Sequence, residues 1–203
     1  MRIAVLGAGV VGQRLAAKLR EVGHDIQVGT RTPRDDATSY AEATAGAELI
    51  LNATNGDGSL EALAAAGAEN LAGKVLIDAS NPLDFTRGRP PGLSVSNFDS
   101  LGEQIQRAHP DAKVIKALNT VNNEVMVEPS LVPGNHVLFV CGNDEAAKAQ
   151  VVELLGSFGW PAERVIDLGD ITSARGTEMY LPLWLRLVGA LGTPRLNISV
   201  EQA

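Results

Sequence analysis

Apolar residues in this chain fall into short runs, separated by stretches in which they recur every three or four positions. Arg2-Ile3-Ala4-Val5-Leu6 is the first run and reads as a strand. Residues 13–22 follow with Leu15, Ala16 and Leu19 on one side, the spacing of a helix face. The strand pattern returns at 26–30, 47–53, 74–78, 113–117, 137–141 and 165–168. Helices are predicted at 39–45, 59–66, 99–108 and 144–158, the last capped by Gly142-Asn143-Asp144. Strands alternating with helices at this spacing predict an α/β fold, with a parallel sheet covered on both faces. Residues 83–97 show no periodicity and are broken by prolines and glycines, so they read as a long loop. Helix propensity resumes over 172–191.

The first strand runs directly into Gly7-Ala8-Gly9-Val10-Val11-Gly12, which is GxGxxG, and a helix follows. That context is what a dinucleotide fingerprint requires. Gly7 makes the tight turn. Gly9, lacking Cβ, lets a diphosphate approach the backbone. Gly12 lets the helix lie close on the strand. The helix N-terminus offers free N–H groups and partial positive charge to phosphates. The expected architecture is therefore Rossmann-like and doubly wound, with a mostly parallel sheet and the nucleotide across the carboxyl ends of its strands.

An NAD-binding fold of this kind carries an acid at the end of the second strand, where it grips the ribose. Here that place holds Thr30-Arg31-Thr32-Pro33-Arg34, and Asp35 and Asp36 come only later. A guanidinium pairs with a 2′-phosphate through two hydrogen bonds, whereas a carboxylate repels it. NADP(H) is thus expected over NAD(H), with Arg31 as the main contact, Thr30 as a hydroxyl donor and Arg34 as a second candidate.

Chemistry at the same edge is constrained by what it lacks. Asn52, Thr54, Asn55, Asp78, Ser80, Asn81, Asn119, Thr120, Cys141 and Asp167 all stand at or just beyond the ends of predicted strands. Of these, Asn52, Thr54, Asn81 and Asn119 are the expected cofactor contacts, while Asp78 and Asp167 read as caps of turns or helices. His24, His109 and His136 each precede a strand, which puts them at the opposite edge in surface or capping roles. Lys116 reads either as an edge group or as a solvated strand residue. An enzyme that moves a proton along with a hydride needs a positioned acid or base. An edge without one suits hydride passage between two bound cofactors, where the protein supplies proximity and orientation. Cys141 reads as a buried thiol, and Trp160 and Trp184 as packing residues.

Bulk properties narrow the partners. The 203 residues carry a net charge of −7, which argues against a nucleic-acid surface. A single cysteine excludes an internal disulfide and suits a reducing cytoplasm. No signal peptide is read at the start, and no apolar run approaches the ~20 residues of a spanning helix, so no membrane partner is expected. The run Leu181-Pro182-Leu183-Trp184-Leu185-Arg186-Leu187-Val188 is apolar nearly all round and predicts burial on more than one side. The chain therefore divides into an NADP-binding unit, 1–170, and a small C-terminal helical segment, 171–203, expected to contact a second copy in a homodimer.

Five segments occur in a fixed order: the glycine turn, Gly29-Thr30-Arg31-Thr32-Pro33, Lys116-Ala117-Leu118-Asn119-Thr120, Val140-Cys141-Gly142-Asn143-Asp144, and Asp167 to Arg175. Together they resemble the NADPH:deazaflavin oxidoreductase family, which uses coenzyme F420, over nearly the whole chain. The NADPH-binding domains of the membrane ferric reductases called STEAP proteins are similar. The resemblance implies direct hydride transfer between NADPH and a deazaflavin, or a flavin-type acceptor. It further implies that Gly7, Gly9, Val10, Val11 and Gly12 cradle the diphosphate, that Thr30 and Arg31 hold the 2′-phosphate, and that Asn119 and Thr120 lie near the nicotinamide and the second ring. Residues 52–57 depart from the family's apolar, aromatic-containing segment by being polar. Two readings remain: an NADP-dependent oxidoreductase, and an NADP(H)-binding module or redox sensor that passes no hydride.

Overall fold

The computed structural model describes residues 1–202. In chain order the elements begin β1 (Arg2–Leu6), α1 (Val10–Glu21), β2 (Asp25–Thr30), β3 (Thr38–Ser39), α2 (Tyr40–Thr44) and β4 (Leu49–Asn52). They continue α3 (Ser59–Ala66), α4 (Ala68–Leu71), β5 (Val75–Asp78), β6 (Leu83–Asp84), β7 (Gly92–Leu93), α5 (Leu101–Ala108) and β8 (Lys113–Ala117). The rest are α6 (Asn123–Val127), β9 (Leu138–Gly142), α7 (Glu145–Ser157), β10 (Val165–Asp167), α8 (Ala174–Met179) and α9 (Leu181–Leu191). The main sheet has the order β10-β9-β8-β5-β4-β1-β2-β3 and is mostly parallel. This is the expected Rossmann-like architecture.

Strand alternation builds two cores. Ile3, Val5, Leu49, Leu51, Ile77 and Ile115 point to one face, where Leu15 and Leu19 of α1 and Val151 and Leu155 of α7 cover them. Ala4, Leu6, Ile50, Leu76 and Val114 point to the other, against Leu63 of α3 and Ile105 of α5. Because both faces are covered, β4 and β5 are buried at every position, which explains their near-continuous apolar runs.

The sheet is not parallel throughout. β9 pairs antiparallel to β8, and β10 follows β9 in parallel. Residues 118–137, with α6 and a 3-10 turn at Pro129–Leu131, keep to the carboxyl edge of β8, so the chain re-enters the sheet from there. One placement is corrected by this reversal: His136 enters at the edge that carries the carboxyl ends of β1, β4, β5 and β8. Cys141 stands opposite Lys116, and Asp167 opposite Val140, which itself faces Ala117. Nor is His136 a surface group: it is buried, bonded to the Pro129 carbonyl and Asn197, with its ring edge-on to Trp160. Asp167 takes the turn role expected of it, accepting from the Gly169 amide, and pairs with Lys148 at 2.7 Å.

Two further expectations change. Residues 83–97 contain a small antiparallel hairpin, with Leu83 opposite Leu93 and Asp84 opposite Gly92. The C-terminal helix is divided at Tyr180, because Pro182 can occupy only the first turn of a new helix.

A row of polar residues crosses the sheet near its ligand edge: Asn52, Asp78 and Lys116 are successive cross-strand neighbours. Lys116 is fully buried rather than solvated. Its ammonium lies 2.7 Å from Asp78 and 2.7 Å from Glu178 of α8, and it donates to the Ser80 carbonyl. Burial alone would lower the Lys116 pKa, but the two carboxylates more than offset it and raise it. Glu178 also accepts from the Leu101 and Gly102 amides and so caps α5. One ammonium thus ties the site strands to the C-terminal segment.

Candidate functional site

The glycine turn is shaped by close backbone contacts. Gly7 has φ +108°, and a Cβ there would lie 2.6 Å from the Ala53 carbonyl oxygen. A Cβ on Gly12 would lie 1.7 Å from the Gly7 oxygen, so α1 can approach β1 only with glycine at this point. Gly9 differs: its φ is −81°, and a Cβ would meet nothing within 4 Å. It is the N-cap of α1, with no side-chain cap and no acid in the first turn. The first helical N–H groups therefore face an open space, as an anion site requires.

That space is one end of a cavity of about 380 Å³. Gly7, Ala8 and Gly9 line it together with Thr30, Arg31, Ser39, Tyr40 and Glu61. Arg31 has no carboxylate within ion-pair distance among the described residues, since the paired arginines are Arg14, Arg34, Arg107, Arg175 and Arg195. Arg34 is committed elsewhere. It pairs with Asp36 at 2.6 Å and donates to the Ala8 carbonyl at 3.1 Å, lying across the turn rather than in the cavity. Burial raises the pKa of Tyr40, opposed by the charge of Arg31, so its hydroxyl stays protonated near neutrality.

A second cavity, of about 400 Å³, shares Ala53, Thr54, Asn55 and Asp57 with the first. Together they make a continuous groove along the carboxyl ends of the parallel strands. Here the lining includes Val11, Asn81, Asn119 and Thr120, with Leu181 and Trp184 from α9 on the far wall. The two asparagines hold each other. Asn81 Nδ2 donates to the Asn119 carbonyl at 2.9 Å, and Asn119 Nδ2 donates to Asn81 Oδ1 at 3.0 Å. Leu118, just before, is a buried non-glycine residue at φ +67°, a conformation that costs about 1 kcal/mol or more and turns Asn119 toward β5. Asn119 Oδ1, Asn123 Oδ1 and Trp184 Nε1 are buried without a hydrogen-bond partner among the described residues. Among the described lining residues, Asp57 alone is ionisable.

The expected site residues thus sort by location. Gly7, Gly9, Thr30, Arg31, Thr54, Val11, Asn81, Asn119 and Thr120 line the groove. Val10 is exposed on the first turn of α1, and Gly12 lies beneath the turn. Asn52 lines neither cavity. It is fully buried, donates to Asp78 and Ser59, and accepts from the Thr54 hydroxyl at 2.7 Å, so it positions Thr54 from behind. Trp160 packs as expected, its indole donating to the Met126 carbonyl, whereas Trp184 belongs to the cavity wall. Tyr40 and Leu181 were not legible as groove residues, since each sits in an apolar helical pattern.

Comparison with known proteins bears on this groove. Residues 2–82 match the family model described as NADP oxidoreductase, coenzyme F420-dependent. A crystal structure of a candidate F420-dependent NADP-reductase from Arthrobacter sp. FB24 is 52% identical, with each chain covered over 100% of its length and a TM-score of 0.95. The chain belongs to the coenzyme F420-dependent NADP oxidoreductase family. Members and relatives differ in length. The F420-dependent NADP reductase of Methanocaldococcus jannaschii is 32% identical over 59% of this chain and 52% of its own. Metalloreductase STEAP3 of Rattus norvegicus is 29% identical over 90% of this chain but only 38% of its own. The chain thus spans between about a third and a half of the curated relatives it matches. Among the described residues no helix is long and apolar enough to cross a membrane.

Proposed function

We propose that this member of the F420-dependent NADP oxidoreductase family binds NADP(H) along the groove and passes a hydride between it and a deazaflavin or flavin-type acceptor in the second cavity. The observation that carries this reading is the composition of that cavity. Its described lining offers amides, hydroxyls and apolar walls, with Asp57 as its one ionisable group and no histidine, lysine or tyrosine. A hydride exchanged between two ring systems needs only that they be held face to face.

The residues fit the nucleotide on two counts. The open side of Gly9, beside uncapped helical N–H groups, suits a diphosphate, with Gly7, Val10, Val11 and Gly12 shaping the turn around it. The unpartnered Asn119 Oδ1 suits a carboxamide N–H. In this reading Thr30 and Arg31 take the 2′-phosphate, while Arg34 steadies the turn through Ala8. Thr54, Asn81, Asn119 and Thr120 orient the nicotinamide end, with Asn52 behind them. NADPH, when bound, supplies the hydride; the chain's own part is to bind, orient and exclude water.

The segment from residue 171 closes the acceptor end. The outer side of α9 leaves Leu183 56% and Leu191 62% exposed, with Leu185, Leu187 and Val188 half-buried beside them. We assign this face to a second copy in a two-fold homodimer. We place the protein in the cytoplasm, where its one cysteine, the buried Cys141, would stay a free thiol. Light scattering at micromolar concentration tests the dimer, and a monomer contradicts it. Acceptor-dependent oxidation of NADPH tests the reaction. NADPH binding with no turnover of any deazaflavin or flavin would return the protein to the class of NADP(H) sensors.

A further inference from the structure

The hairpin at the mouth of the second cavity carries an unassigned charge. Its base is fixed beside Asn81: the Leu83 amide donates to the Asn81 carbonyl, and the Ser94 amide to that of Pro82. Leu83 on its first strand and Phe85 just beyond it line the cavity. The Gly88 amide then turns back to the Phe85 carbonyl, leaving a tip that contains Arg87 and Arg89. The Arg89 guanidinium lies over the Phe85 ring, 5.0 Å from its centre. A cation is therefore held against a wall of the cavity by its own aromatic neighbour.

Neither arginine is spent. The ion pairs among the described residues include neither Arg87 nor Arg89, although the chain has 24 acidic side chains against 17 basic ones. Asp84, the nearest acid in sequence, accepts from the Thr86 amide and feels the charge of Arg87, but forms no ion pair with it. Asp57, on the lining shared by the two cavities, is the other carboxylate at this end of the groove. A planar guanidinium matches phosphate and carboxylate oxygens two at a time, and two of them on one short arm match a ligand with clustered negative charge.

We infer that the hairpin tip is an anion subsite, at which Arg87 and Arg89 engage a phosphate- or carboxylate-bearing side chain of the acceptor whose ring enters the second cavity. This rests on the acceptor reading above and adds a specificity element to it: the arm selects among acceptors with the same ring by the charge of their side chains. Both arginines are exposed, so the selection weakens with salt.

Matched acceptors test this. Coenzyme F420 is compared with the same deazaflavin core stripped of its phosphate-bearing side chain, and FMN with riboflavin, using wild-type protein and the R87A/R89A double variant. KM is read from turnover, and Kd from acceptor fluorescence in the presence of NADP⁺. The wild type should favour the anionic member of each pair. The double variant should raise KM and Kd for that member about tenfold at low salt, leaving the uncharged member and NADPH affinity unchanged. Equal response of both members, or no response of either, overturns the subsite while leaving the acceptor reading intact. If no deazaflavin or flavin is bound or reduced at all, the acceptor reading fails and the subsite with it.

Discussion

Asn81 and Asn119 are joined by two hydrogen bonds of opposite direction, at 2.9 and 3.0 Å, across the strand ends of β5 and β8. The pair leaves one buried acceptor, Asn119 Oδ1, without a partner beside the second cavity. Asn119→Ala removes that acceptor and leaves Asn81 Oδ1 without its donor, while the bond from Asn81 Nδ2 to the backbone carbonyl of residue 119 survives. Unfolding in urea should show a loss of about 1–3 kcal/mol, the cost of buried groups left unpaired. Turnover should fall by about tenfold or more, since the nicotinamide end loses its orientation. A variant that is less stable but turns over normally would limit Asn119 to a structural part.

Gly9 and Gly12 separate ligand from architecture. Gly12→Ala puts a methyl 1.7 Å from a backbone oxygen, so the turn must shift and thermal stability should drop. Gly9→Ala meets nothing and keeps an ordinary φ, so the melting temperature should hardly move. Its methyl would nonetheless stand where a diphosphate must approach. Calorimetric titration should show weakened NADPH binding by Gly9→Ala in a protein of normal stability; unchanged affinity would take the diphosphate away from this turn.

Arg31 is the groove's cation without an acidic partner, whereas Arg34 is tied to Asp36 and Ala8. Arg31→Ala should weaken NADPH by about ten- to a hundredfold, the value of a charge-assisted pair, and leave NADH nearly unaffected. Competitive binding of the two nucleotides reads this directly. Equal weakening of both contradicts a 2′-phosphate role.

Lys116 holds Asp78 and Glu178 together at the centre of the molecule. Lys116→Met leaves two carboxylates uncompensated and should cost about 3–5 kcal/mol in denaturant unfolding. Adding Asp78→Asn and Glu178→Gln to the same chain should restore much of the loss, because no unpaired buried charge remains. A single variant of wild-type stability would show that the pairs carry little energy.

The sequence exposed those parts of the fold in which one physical rule acts alone. The apolar runs of β1, β4 and β5 and the glycine turn obey burial and backbone sterics, and both were readable from residue order. The direction of β9 was not, because it depends on residues 118–137 keeping to one edge of the sheet, and Val125 and Met126 give no period in the five residues of α6. His136 was misplaced for that reason. The hairpin of residues 83–93 was hidden by prolines that forbid a longer ladder. Of the groove residues, those at strand ends were legible from topology, whereas Leu181, Trp184 and Tyr40 enter from helices whose apolar pattern looks like ordinary core.

The most direct measurement is anaerobic mixing of the purified protein with NADPH and oxidised coenzyme F420, following loss of the deazaflavin absorbance, with NADH and FMN in parallel. Rapid bleaching by NADPH, and slow or no bleaching by NADH, is the result expected of a groove lined by Arg31 and continued by an acceptor cavity without histidine, lysine or tyrosine. Tight NADPH binding without bleaching of either acceptor would contradict hydride transfer at this site.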